Sequence, residues 1–121
     1  MGVSGARPLW TATVLTLFPD MFPGLLSFSL AGKSLKDGLW HLNKVDIREF
    51  AQDKHKTVDD APFGGGVGMV MRADVLGEAV DFAQRLSSPN SRLIYLSPRG
   101  KRFDQVLANE LAKEEGVILI C

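Results

Sequence analysis

The sequence predicts an α/β domain built on a parallel sheet, and three observations carry that expectation. The second half of the chain reads helix, strand, loop, helix, strand, a succession that closes a parallel sheet through helical crossovers. The first half opens on an alternating, β-rich segment at residues 11–18. The chain has 121 residues and is 45% hydrophobic and 23% charged, enough for one packed core and unlike a disordered chain or a coiled coil.

Taken in order, residues 11–18 alternate and favour a strand. Pro19 and Asp20 end it and suit a helical first turn. Residues 21–30 are apolar, but Pro23 and Gly24 predict only a short or broken helix. Residues 32–38 read as a polar connection. Residues 39–47 alternate again, with apolar side chains in both sets, and predict a second strand. Residues 49–69 have no periodicity, and loops beyond about 12–15 residues are usually functional or disordered. In residues 73–86, Val75, Leu76, Ala79, Val80, Phe82, Ala83 and Leu86 recur at helical spacing. Residues 87–90 form a turn, 92–96 a strand, and 97–100 a loop at its carboxyl end. Residues 103–113 predict a second amphipathic helix through Phe103, Val106, Leu107 and Leu111, with Gly116 as its C-terminal cap. The apolar run to Cys121 predicts a buried strand. Such a strand needs chain after it to turn away and cover it, so the sequence is expected to be a fragment of something longer.

Composition limits the function classes. Lys and Arg number 14 and so do Asp and Glu, so the formal net charge is zero. Nucleic-acid binders usually show a basic excess, so any RNA contact must rest on a local patch. The single cysteine, Cys121, cannot form an internal disulfide, and no Cys/His cluster offers a zinc site. No apolar run approaches the ~20 residues that span a membrane. Residues 1–8 lack the apolar region of a signal peptide, residues 1–10 read as a disordered leader or an expression remnant, and a cytoplasmic location follows by default.

The most informative segment is residues 54–71. Gly64, Gly65, Gly66 and Gly68 remove Cβ bulk and let main-chain N–H groups approach a ligand. The alternative is a mobile linker. Against it, Pro62 and Phe63 stiffen the entry, and Met69, Val70 and Met71 anchor the exit. A P-loop fails for want of a Gly-Lys-Ser/Thr sequence, and a dinucleotide fingerprint fails because Met69 stands where the third glycine belongs. Asp59 and Asp60 are a candidate base or metal pair, but neighbours on extended chain point apart, and loop capping explains them equally well. His55, between Lys54 and Lys56, is either solvated or paired with phosphate. The loop of Tyr95, Leu96, Ser97, Pro98, Arg99 and Gly100 lies where α/β sheets bind ligands, although an ordinary strand–helix connection also fits. Cys121 reads as core rather than nucleophile, and Trp10 and Trp40 as packing rather than base-stacking residues.

Three segments together resemble one family. They are Leu17-Phe18-Pro19-Asp20-Met21-Phe22, the stretch from Thr57 through Asp59, Asp60 and the four glycines to Met71, and Ile94-Tyr95-Leu96-Ser97-Pro98-Arg99-Gly100. Their order and spacing are similar to those of the bacterial tRNA (guanine-37-N1) methyltransferases, the TrmD family of the SPOUT superfamily. The resemblance runs from about residue 13 to residue 121. It implies the α/β parallel sheet of a SPOUT trefoil-knot methyltransferase, here truncated before the knot-closing segment, so residues 11–121 would be the N-terminal part of that domain. It further implies a homodimer that binds S-adenosylmethionine and methylates N1 of guanosine-37 in tRNA, while the short apolar runs lead to the expectation of no membrane association. Tyr95, Leu96, Ser97, Pro98 and Gly100 match the family's first cofactor loop. Asp59, Pro62, Phe63, Gly64, Gly65, Gly66, Gly68 and Met69 match the segment that helps seat the target base. The family's acidic catalytic base lies in the absent C-terminal part, so no residue here is expected to be catalytic and the fragment alone is expected to be inactive. Family resemblance also raises Mg2+, for which these residues show no dedicated site.

Overall fold

The computed structural model describes residues 9–53, 58–60 and 70–121. Four parallel strands form the main sheet: β1 (Trp10–Thr16), β2 (Trp40–Asp46), β5 (Ser91–Tyr95) and β6 (Gly116–Ile120), in the order β2-β1-β6-β5. Three helices connect them: α1 (Ser29–Lys36), α2 (Ala73–Leu86) and α3 (Gln105–Ala112). Two short strands, β3 (Asp59–Asp60) and β4 (Val70–Met71), pair antiparallel apart from the main sheet.

Burial follows strand position. β6 lies between β1 and β5 with both faces packed, so Val117, Ile118 and Ile120 are buried and Leu119 is half-buried. β5 is an edge strand, and Leu93 and Tyr95 remain exposed. One face of the sheet packs Leu15, Val45 and Ile118 against Val75, Ala79 and Ala83 of α2. Full burial of a side chain such as Leu15 or Ile118 contributes about 1.5–3 kcal/mol. Thr13 is fully buried and satisfied on this sheet, its Oγ1 bonded to Asn43 Nδ2 at 3.4 Å and Ser87 Oγ at 3.1 Å. The other face gathers Ala12, Val117 and Leu111 with the half-buried Trp10, Trp40 and Leu119. Both tryptophans pack there and pin helices: Trp10 Nε1 donates to Leu111 O and Trp40 Nε1 to Ala31 O, each at 3.0 Å.

Several sequence expectations are corrected here. Residues 32–38 are not a plain connection, because α1 runs through them to Lys36. The short or broken helix expected over residues 21–30 is by contrast borne out, as two short 3-10 turns, Pro19–Met21 and Gly24–Ser27, ahead of α1. Phe103 does not belong to the second amphipathic helix: Asp104 caps α3 by accepting from Leu107 N at 2.9 Å, and Phe103 and Val106 stay exposed. Gly116 is not a helix cap but the first residue of β6, where a Cβ would lie 2.0 Å from Thr11 O. Cys121 is not core. It lies exposed just past β6, its thiol pushed up from its ordinary value by desolvation, while its amide continues the ladder to Leu15 O at 2.9 Å.

Candidate functional site

The carboxyl ends of β1, β5 and β6 lie side by side, the sheet edge at which α/β proteins bind ligands. The chain leaving β5 is ordered by its own hydrogen bonds. Leu96 N donates to Ile120 O at 3.3 Å and so extends the β5–β6 ladder by one residue. Ser97 then closes a turn: its carbonyl accepts from Gly100 N at 3.1 Å and its Oγ from Arg99 N at 3.2 Å. Pro98 fixes its own φ and biases Ser97 toward extended backbone, so the turn is preorganised.

This turn forms one wall of a cleft of about 1230 Å³ between α3 and the sheet. Tyr95, Leu96, Ser97, Pro98 and Gly100, all five expected cofactor residues, line it. The floor is apolar, with Ile94 from β5, Val117 and Leu119 from β6, and Leu107 and Leu111 from α3. Sequence reasoning singled out the loop but not this floor. The floor residues were legible only as core positions: Val117 and Leu111 are buried, and Ile94, Leu107 and Leu119 are half-buried around them. The cleft exceeds the ~300–1,000 Å³ usual for small-molecule pockets, so it accommodates a nucleoside-sized ligand with room to spare. A smaller concavity of about 550 Å³ lies at the amino ends of β5 and β6. Within it Arg92 pairs with Glu114, and Asn90 Nδ2 donates to Glu115.

Of the expected base-seating residues, Pro62, Phe63, Gly64, Gly65, Gly66, Gly68 and Met69 lie outside the described residues, as does His55. For Asp59 only the backbone is described. It pairs in β3 with Met71, and Asp60 with Val70. This ladder brings together the two ends of the segment that holds the glycines. The exit is fixed further by residues that sequence reasoning did not single out. Arg72 N donates to Val58 O at 2.6 Å, and Val58 is buried. Arg72 Nη2 pairs with Asp74 Oδ2 at 3.0 Å, and this partner holds the Asp74 carboxyl below its ordinary value. The only early signal of the anchor was the shift from glycines to an apolar-then-helical pattern after Gly68.

Among the described residues, no group of three or more His, Cys, Asp or Glu is placed to hold a metal ion. No helix among them is long and apolar enough to cross a membrane.

Comparison with known proteins bears on the same segments. A relative from Ruegeria sp. (strain TM1040), a tRNA (guanine-N(1)-)-methyltransferase, is 54% identical over 113 residues, covering 93% of this chain and 46% of its own length. A tRNA (guanine-N(1)-)-methyltransferase of Wolbachia pipientis is 52% identical over 112 residues, covering 93% of this chain and 48% of its own. The chain thus spans about half the length of the curated relatives it matches. The crystal structure of the tRNA (m1G37) methyltransferase from Aquifex aeolicus superposes with a TM-score of 0.79 at 33% identity, over 94% of this chain and 50% of that one. The family model of the tRNA (guanine-1)-methyltransferase TrmD matches residues 10–121, and the chain therefore belongs to that family.

Proposed function

We propose that this chain takes part in the S-adenosylmethionine-dependent methylation of N1 of guanosine-37 in tRNA, as one protomer of a cytoplasmic homodimer. The observation that carries this reading is the cleft at the carboxyl edge, with Tyr95, Leu96, Ser97, Pro98 and Gly100 on its wall.

The residues present fit an adenosine. An adenosine offers a flat apolar face and a hydrogen-bonding edge. Ile94, Leu107 and Leu119 would take the first, and the main chain of residues 96–100 the second. When bound, S-adenosylmethionine supplies an electrophilic sulfonium methyl, open to in-line displacement with no metal needed to activate it. The chain's own part is then positioning. The stiffened turn at Pro98 holds one side of the nucleoside, and the apolar floor excludes water. Guanine N1 carries a proton at neutral pH, so a base must accept it as the new N–C bond forms. No described residue of this chain is assigned that role, and the resemblance puts the acidic base beyond residue 121. A polypeptide of residues 1–121 alone is accordingly expected to form no N1-methylguanosine.

Asp59, Pro62, Phe63, Gly64, Gly65, Gly66, Gly68 and Met69 remain the proposed seat of the target base, supported by the β3–β4 ladder that closes the base of their segment. Among the described residues no group of three or more His, Cys, Asp or Glu gathers to hold Mg2+.

The test uses the full-length protein. It is incubated with S-adenosylmethionine and an unmodified tRNA transcript bearing guanosine-37, and the digested RNA is analysed by mass spectrometry for N1-methylguanosine. Its formation, with calorimetric binding of S-adenosylmethionine but not ATP and a dimeric sedimentation coefficient, is the expected result. An unmodified guanosine-37, or ATP binding in preference to S-adenosylmethionine, would refute the proposal.

A further inference from the structure

With 14 basic and 14 acidic residues, affinity for RNA cannot come from net charge. It has to come from a place where basic groups are concentrated and left unneutralised. Three of the four residues from Arg99 to Arg102 are basic, namely Arg99, Lys101 and Arg102, and all three are exposed. Among the described residues no carboxylate lies within ion-pair distance of any of them. What sets them apart from the other described basic residues is their concentration, three within four positions. Arg72 pairs with Asp74, Arg92 with Glu110 and Glu114, and Lys44 donates to Phe22 O. Asp104, the nearest carboxylate in sequence, is engaged as the α3 cap.

The position of the cluster is as telling as its charge. Lys101 and Arg102 line the cleft, directly after the Ser97–Gly100 turn that forms its wall. A nucleobase brought to this edge carries its own phosphate and those of its neighbours to the rim. Phosphate contacts of this kind fix register without reading sequence.

We propose that Arg99, Lys101 and Arg102 form the phosphate-contacting rim of the site, holding the RNA backbone beside the cleft. This rests on the methyltransferase reading above and adds to it the residues that dock the substrate's backbone.

The experiment measures binding of an unmodified tRNA transcript to the full-length protein by fluorescence anisotropy across a salt series. The wild type is compared with Arg99→Gln/Lys101→Gln/Arg102→Gln. Each phosphate contact to single-stranded RNA contributes about 0.7 to the slope of log K against log salt, so the triple variant should lose about 2 from that slope. Between 50 and 200 mM salt the wild type should then lose about 16-fold more affinity than the variant. The single variant Arg102→Gln should lose about 0.7, which provides a reading should the triple variant fold poorly. Lys33→Gln/Lys36→Gln removes charge from α1, which packs on β2 at the opposite edge of the sheet, and should leave the slope nearly unchanged.

An unaltered slope in the rim variants, an equal loss per charge in the α1 variant, or no RNA binding by the wild type would overturn the proposal. Methylation with an unaltered slope refutes the rim and spares the functional reading. Salt-dependent RNA binding that the rim variants weaken, without any methylation, does the reverse.

Discussion

Gly116→Ala is expected to destabilise the full-length protein by about 2–4 kcal/mol, because β1 and β6 meet there without room for a side chain. A Cβ on Gly116 would stand 2.0 Å from Thr11 O, 3.0 Å from Thr11 C and 3.2 Å from Thr11 N. All three are backbone atoms of the neighbouring strand, so no rotamer change relieves the overlap. The two strands must part locally, and forced overpacking of this kind costs about 1–3 kcal/mol. The Thr11 N to Glu115 O hydrogen bond, 3.1 Å long, sits at the same seam and adds about 1 kcal/mol when it is lost. Since each kcal/mol moves Tm by about 2–8 °C depending on chain size, a drop of roughly 10 °C is expected. Gly77→Ala is the matched control. A Cβ there meets nothing within 4 Å, and Gly77 lies inside α2, so the same chemical change should stabilise by about 0.5–1 kcal/mol. Urea titration of the three proteins, read as a shift in midpoint at constant slope, separates the two cases. Equal stability of Gly116→Ala and wild type would refute the argument that glycine is required at this seam. Because Val117 and Leu119 form part of the cleft floor, S-adenosylmethionine affinity should fall together with stability in this variant.

Pro98→Gly should weaken S-adenosylmethionine binding by about 1 kcal/mol, roughly fivefold, by freeing a turn that is ordered before ligand arrives. Calorimetry on wild type and variant reads this directly, and an equal loss of tRNA affinity measured without cofactor would point to general unfolding instead. Gly65→Val should lower turnover in the full-length protein much more than it lowers Tm, since a β-branched side chain blocks backbone approach to the base; unchanged methylation kinetics would reduce that segment to a linker. Asp74 has a folded-state value lowered by Arg72, so the pair adds stability that is present above the ordinary carboxylate range and is lost as pH falls through the lowered value. The stability difference between wild type and Asp74→Asn should therefore shrink on acidification, and a difference that grows toward low pH would show that the ion pair is not its source.

The elements that the sequence placed well are those whose burial is regular. α2 spans Ala73–Leu86, as its helical spacing predicted, because one face alone meets the sheet and Val75, Ala79 and Ala83 repeat with that face. The final apolar run became β6 because a central parallel strand is buried on both sides. Where propensity and packing conflict, the sequence misled. α1 contains Gly32, and Ser29 opens it with a φ of 56°, neither of which favours a helix. Its place comes from contact instead: Ala31 O accepts from Trp40, and a Cβ on Gly32 would lie 2.1 Å from Ser27 O.

For the site, the sequence by itself marked Tyr95–Gly100 as a stiff turn at a strand end, because Pro98 and Gly100 act locally and need no neighbours to be read. Its charge balance also required any RNA contact to be local. Only the tertiary structure decided what that turn faces. Ile94, Leu107 and Leu119 come from three separate elements and meet only where α3 packs on the sheet. The pairing of Asp59 with Met71 is likewise invisible in sequence, since two-residue strands carry no period, and it is tertiary hydrogen bonding that draws the ends of the glycine segment together. Local stiffness and periodicity are encoded residue by residue, whereas a cleft is a distance between elements and exists only once they pack.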